Sequence, residues 1–431
     1  SCATAMEIPV ASAYALAAKL GVIYKKDESV FRVWAPTKRR VELRLFESTE
    51  GGMYQRVEMH EKEGIYTARV EGDWDGYFYT YVADGVEVPD PYSVSASLNG
   101  RRSAVVDLSS TDPQGFRQSA YVSTKSKDAI LYELHVGDYS FHTNSGAKFP
   151  GKYLGLVEKS AYQNVKTGME HLKELGITHV HLMPIAENAT VDEHPSRFGA
   201  EDNYNWGYDP HLYNVPEGAY ATDPWDPKVR IRELKTAIQK LHDAGIGVIL
   251  DVVYNHTFRT KDSPFNLLVP NYYYRKVNDN FANGSGVGNE LASEAPMMRK
   301  FILESLRYWQ KEYRIDGFRF DLMALLDQET VRMAIKALRH VNPNAGIYGE
   351  PWMAQPSPLP EEQQTRWGTQ TGEGFALFNA PFRDALCGSV EGVERGFLQG
   401  NALGKRGTEI GLLGSINDGK GRNGGIWDPT N

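Results

Sequence analysis

The apolar pattern of this chain changes period near residue 128, and that switch limits the folds open to it. Before it, Val30–Trp34 and Val41–Phe46 alternate with period two, the mark of half-buried strands. Ile65–Val70 and Tyr77–Val82 follow, with Gly51-Gly52, Asp75-Gly76 and Asp84-Gly85 between them as turn signals. Strands this short and this closely spaced predict an all-β sandwich over 15–110, after an N-terminal segment 1–14. The polar stretch 111–128 reads as a linker.

From residue 129 onward apolar strand-like runs alternate with helical ones. Ala129–His135, Thr178–Pro184 and Ile246–Tyr254 read as strands, as do the runs ending at Asp321 and Glu350. Helices are predicted over Asn164–Leu175, from an Asp226 cap with Pro227 in the first turn to Ala244, over Met297–Tyr313 and over Asp327–His340. The pattern over 129–431 is that of a (β/α)8 TIM-type barrel of which about five β/α units are present, with long insertions after the second and third strands. Five units cannot close an eight-stranded barrel and would leave two open edges. The remaining strands are expected on further polypeptide or on a separate chain, and the 431-residue chain alone is expected to be inactive. Asn417–Gly425 reads as a flexible polar loop.

A net charge of −8, from 47 basic against 55 acidic residues, argues against nucleic acid or an anionic membrane as partner. No run of about 18 apolar residues is present to span a bilayer. The opening Ser-Cys-Ala-Thr-Ala-Met lacks the basic-then-apolar pattern of an intact signal peptide, which leaves the compartment open between cytoplasmic and secreted. With only Cys2 and Cys387, no structural disulfide is expected. The 24 Tyr, 17 Phe and 8 Trp could supply flat faces for sugar rings, although most of them must simply be core.

Several motifs fall at or near predicted strand ends. Arg319 and Asp321 stand at i and i+2, on one side of a strand, so the guanidinium should hold the carboxylate ionised, as a nucleophile requires. Glu350 lies among apolar and aromatic residues, which should raise its pKa and suit it to general-acid work, with Trp352 beside it to stack on a sugar. His256 can donate to a sugar hydroxyl, while Asp251 and Asn255 read as structural at the site. The loop Tyr204–Pro210 carries Tyr208 as a stacking platform, with Tyr204, Trp206 and Asp209 as further candidates. Taken singly, each motif has a plain structural explanation: an Arg–Asp pair, a helix cap, a core tryptophan. Their succession along one rim favours a carboxylate-pair site. His179 and His181 share a strand face but lack a third ligand, so no metal is assigned. Asn283–Asn289 lacks the Lys-Ser/Thr ending of a phosphate loop.

Asp251–His256, Gly317–Leu322 and Gly349–Trp352 resemble three signatures of the alpha-amylase superfamily of glycoside hydrolases. Tyr204–Pro210, reading YNWGYDP, is similar to the signature of its type I pullulanases, and Phe31–Pro36 resembles the starch-binding sandwich that precedes the barrel in debranching enzymes. The resemblance implies retaining hydrolysis of α-1,6-glucosidic branch points in pullulan, amylopectin and limit dextrins. It implies Asp321 as nucleophile and Glu350 as acid/base, with carboxyls about 5–5.5 Å apart. Arg319, His256, Tyr208 and Trp352 would contact substrate, and Asp209, Trp206 and Tyr204 match less closely. No cofactor is implied; a structural calcium is compatible, with no ligands named. Departures are Gly137, where the family commonly has arginine, Ala380-Pro381 after Asn379, where it commonly has aspartate, and the lack of a His-Asp signature after Glu350 to supply a third acid. An isoamylase or glycogen-debranching activity and a non-catalytic α-glucan-binding role remain the alternatives.

Overall fold

Strand Val41–Phe46 hides Val41, Leu43 and Leu45 and leaves Glu42 and Arg44 part-exposed, as its alternation requires. In the computed structural model, which describes residues 8–125, 128–379, 387, 395–405 and 408, it pairs antiparallel with Met53–Glu58 and Phe78–Ala83. A second antiparallel sheet runs Gly21–Tyr24, Glu28–Trp34, Ile65–Glu71, His60–Lys62. Phe31 of this sheet meets Tyr79 of the other edge to face, with ring centroids 5.0 Å apart. This is the N-terminal sandwich.

The segment that follows it is packed down. Phe116 is fully buried, Asp112 accepts from Lys235 at 2.7 Å, and Arg117 reaches Glu312 at 2.8 Å. Trp34 of the sandwich sets its edge against Tyr272 at 4.8 Å, and one apolar cluster runs through both regions.

The second region is a single parallel sheet of β1 (Leu131–Leu134), β2 (His179–Leu182), β3 (Gly247–Val252), β4 (Gly317–Phe320), β5 (Gly346–Gly349) and β6 (Ala376–Leu377), in that order. Helices α1 (Gly168–Glu174), α2 (Val229–Asp243), α3 (Pro296–Glu312) and α4 (Gln328–Val341) connect successive strands. In α4, Val331, Ala334, Ile335 and Leu338 form the buried stripe, and Asp327 caps the start by accepting from Thr330 N–H at 3.1 Å. The sheet holds six strands among the described residues, against about five expected; β6 is two residues long and gives no periodicity to read.

Two further expectations are corrected. Residues from Asn164 do not open a helix: Lys159–Tyr162 and Val165–Thr167 form a hairpin, turned at Gln163 with φ 56°, and α1 begins only at Gly168. Helix α2 begins at Val229 rather than at Pro227, because Asp223 and Asp226 spend their side chains on the backbone N–H groups of a preceding turn. Asn417–Gly425 lies outside the described residues.

Among those residues the sheet does not close. A cavity of about 900 Å³ lies against it, lined by Leu131, His179, Ile249, Ile347, Phe375 and their neighbours. A closed barrel fills this space with side chains.

Candidate active site

The strand ends of β3, β4 and β5 bring the two acids together. Asp321 N–H donates to Val252 O, and Glu350 N–H to Phe320 O, both at 3.0 Å, so each acid stands one residue past a parallel ladder. Register sets Arg319 opposite Asp251. Its Nη1 donates to both Asp251 oxygens at 3.1 Å and lies 3.4 Å from Asp321 Oδ1, while Nη2 is 3.2 Å from Glu350 Oε2. One guanidinium thus faces three carboxylates.

That ratio decides the protonation. Burial, then the charge of Asp251, pushes the Asp321 carboxyl up, and Arg319 and Asn255 only partly oppose this. The expectation that Arg319 would hold Asp321 low is therefore corrected: the arginine is shared, and Asp251 takes most of it. Burial also pushes Glu350 up to about 7, with Arg319 opposing and Asp321 adding to the rise. The two carboxyls share a hydrogen bond that favours the proton on Glu350 and the charge on Asp321. Arg319 bridges them, with Nη1 3.4 Å from Asp321 Oδ1 and Nη2 3.2 Å from Glu350 Oε2.

Asp251 accepts two more bonds, from Tyr208 O–H at 2.7 Å and His181 Nε2 at 3.1 Å. Tyr208 is therefore anchored by its hydroxyl, and burial beside Asp251 raises its pKa and keeps the phenol protonated. Asn255 Nδ2 holds Asp321 through Oδ2 at 2.9 Å and through the main-chain oxygen at 3.0 Å. His256 is buried, with Nε2 2.9 Å from Tyr208 O and Nδ1 2.5 Å from Asn255 Oδ1; burial lowers its pKa, and the neutral ring donates its one N–H to one of these oxygens. In this state it orients Tyr208 and Asn255 and presents no free N–H to a sugar.

The loop 204–210 leans on β2. Gly207 has φ 99°, and a Cβ there would run into the Pro184 carbonyl, so glycine is required. Tyr204 and Trp206 are 50% and 60% exposed, which makes them available to ligand. Tyr204 O–H donates to Asp138 at 2.7 Å. Asp209 is turned into the loop, accepting from Asn205 at 2.6 Å and Thr190 at 3.0 Å. Beyond Glu350, Trp352 lies 6.4 Å from Phe378 and 6.5 Å from Trp367, an aromatic wall on that side.

The sequence reading weighed His181 only as a metal ligand, set that aside, and so missed it as part of the site. Instead it faces Asp251, while His179 Nδ1 lies 2.8 Å from Thr178 Oγ1. It also missed a buried trio, Glu187, Glu193 and Glu217, whose ligand atoms lie within 4.8 Å of one another. Arg230, itself fully buried, sits on Glu187 at 2.9 Å and Glu193 at 3.6 Å, and burial with mutual repulsion raises the Glu187 and Glu217 pKa values. Arg230 thus neutralises part of the trio's charge.

Residues 19–95 match the model of Carbohydrate-binding module 48 (Isoamylase N-terminal domain). A pullulanase of Bacillus subtilis is 38% identical over 408 residues, covering 92% of this chain and 55% of the relative. The structure of a pullulanase from Bacillus acidopullulyticus superposes with a TM-score of 0.89 at 44% identity, covering 93% of this chain and 50% of that one. A pullulanase from Paenibacillus barengoltzii, in complex with maltohexaose and alpha-cyclodextrin, gives 0.87 at 40% identity, covering 93% and 63%. The chain thus spans about half the length of the Bacillus subtilis relative. The likeness to pullulanases in sequence and structure, with the matched N-terminal module, puts the chain in the alpha-amylase superfamily of glycoside hydrolases. Within that class the chain belongs to the type I pullulanases.

Proposed function

We propose that this protein hydrolyses α-1,6-glucosidic linkages in pullulan, amylopectin and limit dextrins with retention of configuration. The observation that carries the proposal is the paired carboxyls above one arginine: Arg319 lies 3.4 Å from Asp321 and 3.2 Å from Glu350, and burial pushes Glu350 up to about 7. In the first step Asp321 attacks the anomeric carbon while Glu350 gives its proton to the departing glycosidic oxygen, which leaves a glycosyl ester on Asp321. In the second, the Glu350 carboxylate takes a proton from water, the water oxygen attacks the same carbon, and Asp321 is released as the anion. Arg319 and Asn255 hold the nucleophile in line, and Tyr208, Trp352, Tyr204 and Trp206 offer aromatic faces to the glucan.

Substrate choice rests on the YNWGYDP loop and on the pullulanase relatives. We further propose that turnover needs the barrel closed by strands beyond β6, which would bring a third carboxylate to the pair. Purified protein with a complete barrel should cleave pullulan faster than glycogen; the reverse preference would favour the isoamylase alternative. Asp321→Asn should abolish hydrolysis, and undiminished turnover in that variant would remove the nucleophile assignment. The 431-residue chain, folded and alone, should be inactive, and ordinary cleavage of pullulan by it would overturn the need for closure.

A further inference from the structure

We infer that His181 is a positioning residue for this site: its Nε2–H fixes the Asp251 carboxylate, and through Asp251 it sets the charge felt by Asp321 and Glu350. The inference rests on the proposed glycosidase reading. His181 is on β2, two strands away from Asp321, and is 2% exposed. Its Nε2 lies 3.1 Å from Asp251 Oδ2, the oxygen that also takes Tyr208 O–H and Arg319 Nη1. The titratable groups facing the ring are Glu133 of β1, with Oε2 3.7 Å from Nδ1, Asp251 of β3, and Tyr348 of β5 edge-on at 6.0 Å. Among the described residues the Tyr348 hydroxyl makes no hydrogen bond, and none to the imidazole.

The electrostatics follow from this contact. Asp251 raises Asp321 through its charge, and each donor on Asp251 weakens that effect. Without the His181 donor, Asp251 should act as a fuller negative charge and draw more of Arg319 away from the acid pair. Both acids should then hold their protons to higher pH.

The test compares His181→Gln, whose amide reaches where Nε2 stands, with His181→Asn, which falls short, in protein that carries the complete barrel. Expected for His181→Asn is a fall in kcat of about 10- to 100-fold with KM changed less than about threefold, by analogy with orienting partners of metal ligands. Both limbs of the pH profile should move up, and His181→Gln should recover most of the rate. Unmoved limbs, or losses in both variants that track Tm, would overturn the inference. If the unaltered protein cleaves no branched glucan, the proposed function falls by itself. Titration of 13C-labelled Asp and Glu carboxyls then decides the matter without turnover: an upward shift of the Asp321–Glu350 pair in His181→Asn supports the inference, and no shift overturns it.

Discussion

Leu322 N–H donates to Glu350 Oε1 at 3.1 Å from a backbone whose φ of 42° lies in the left-handed region. A leucine held there costs about 1–2 kcal/mol. The residue after Asp321 is thus strained, and its amide is spent on the partner acid. Two motifs 28 residues apart are tied by the main chain as well as by Arg319. Strain held in this way keeps the pair aligned before any ligand arrives.

Replacing either acid should separate chemistry from folding. Glu350→Gln keeps the shape and a hydrogen-bond donor but cannot deliver a proton, so kcat on pullulan should fall by about 10²–10⁴-fold. Because Glu350 is pushed up by burial, the neutral amide should leave Tm equal or higher. Steady-state kinetics and a thermal melt on one preparation check both.

The pH dependence has a definite sign. Glu350 holds its proton to about pH 7 when folded, against an ordinary 4.5. Activity should fall as pH rises through about 7. The stability from this group is fully present below about 4.5 and declines between 4.5 and 7, by up to about 1.4 kcal/mol per pH unit. Urea unfolding at a series of pH values should show that decline, and Glu350→Gln should flatten it.

Arg230 is the counter-charge of three buried glutamates and also donates to the carbonyls of Pro216 and Pro224 at 3.1 Å. Arg230→Met should destabilise the fold by about 3–5 kcal/mol, since it strands buried charge. Denaturant titration measures this directly.

Gly207→Ala would force a Cβ toward Pro184 at a φ that alanine resists. The loop should lift and take Tyr208 away from Asp251, costing more than about 1 kcal/mol. Its KM for maltooligosaccharides should rise while the core of the sheet, followed by near-UV circular dichroism, stays intact.

Sequence made the β/α alternation plain, because β3, α3 and α4 are long and strongly patterned. It also brought out Asp321, Glu350, Arg319, Asn255 and Tyr208, which sit in motifs dense with polar and aromatic groups. It could not show β6, which has two residues, or the hairpin turn at Gln163. It misjudged the ionisation of Asp321 for a clear reason. Asp251, from 70 positions earlier in the chain, shares the arginine, and only strand register reveals that competition. His181 was hidden in the same way, since its partner Asp251 lies on the neighbouring strand β3. Counting which side chains of β1 to β4 point to one face would have suggested both.

The unequal coverage of the open sheet has a consequence for its motions. Every residue of β3 is buried between two paired neighbours, whereas β1 shows an exposed Leu131 and Glu133 and, among the described residues, pairs on one side only. Amide exchange should therefore be graded across the sheet, with β3 protons released only when the whole domain opens and those of β1 lost through local fraying. Asp321 lies at the slow end of this gradient, one residue past β4, which is buried throughout and paired on both sides.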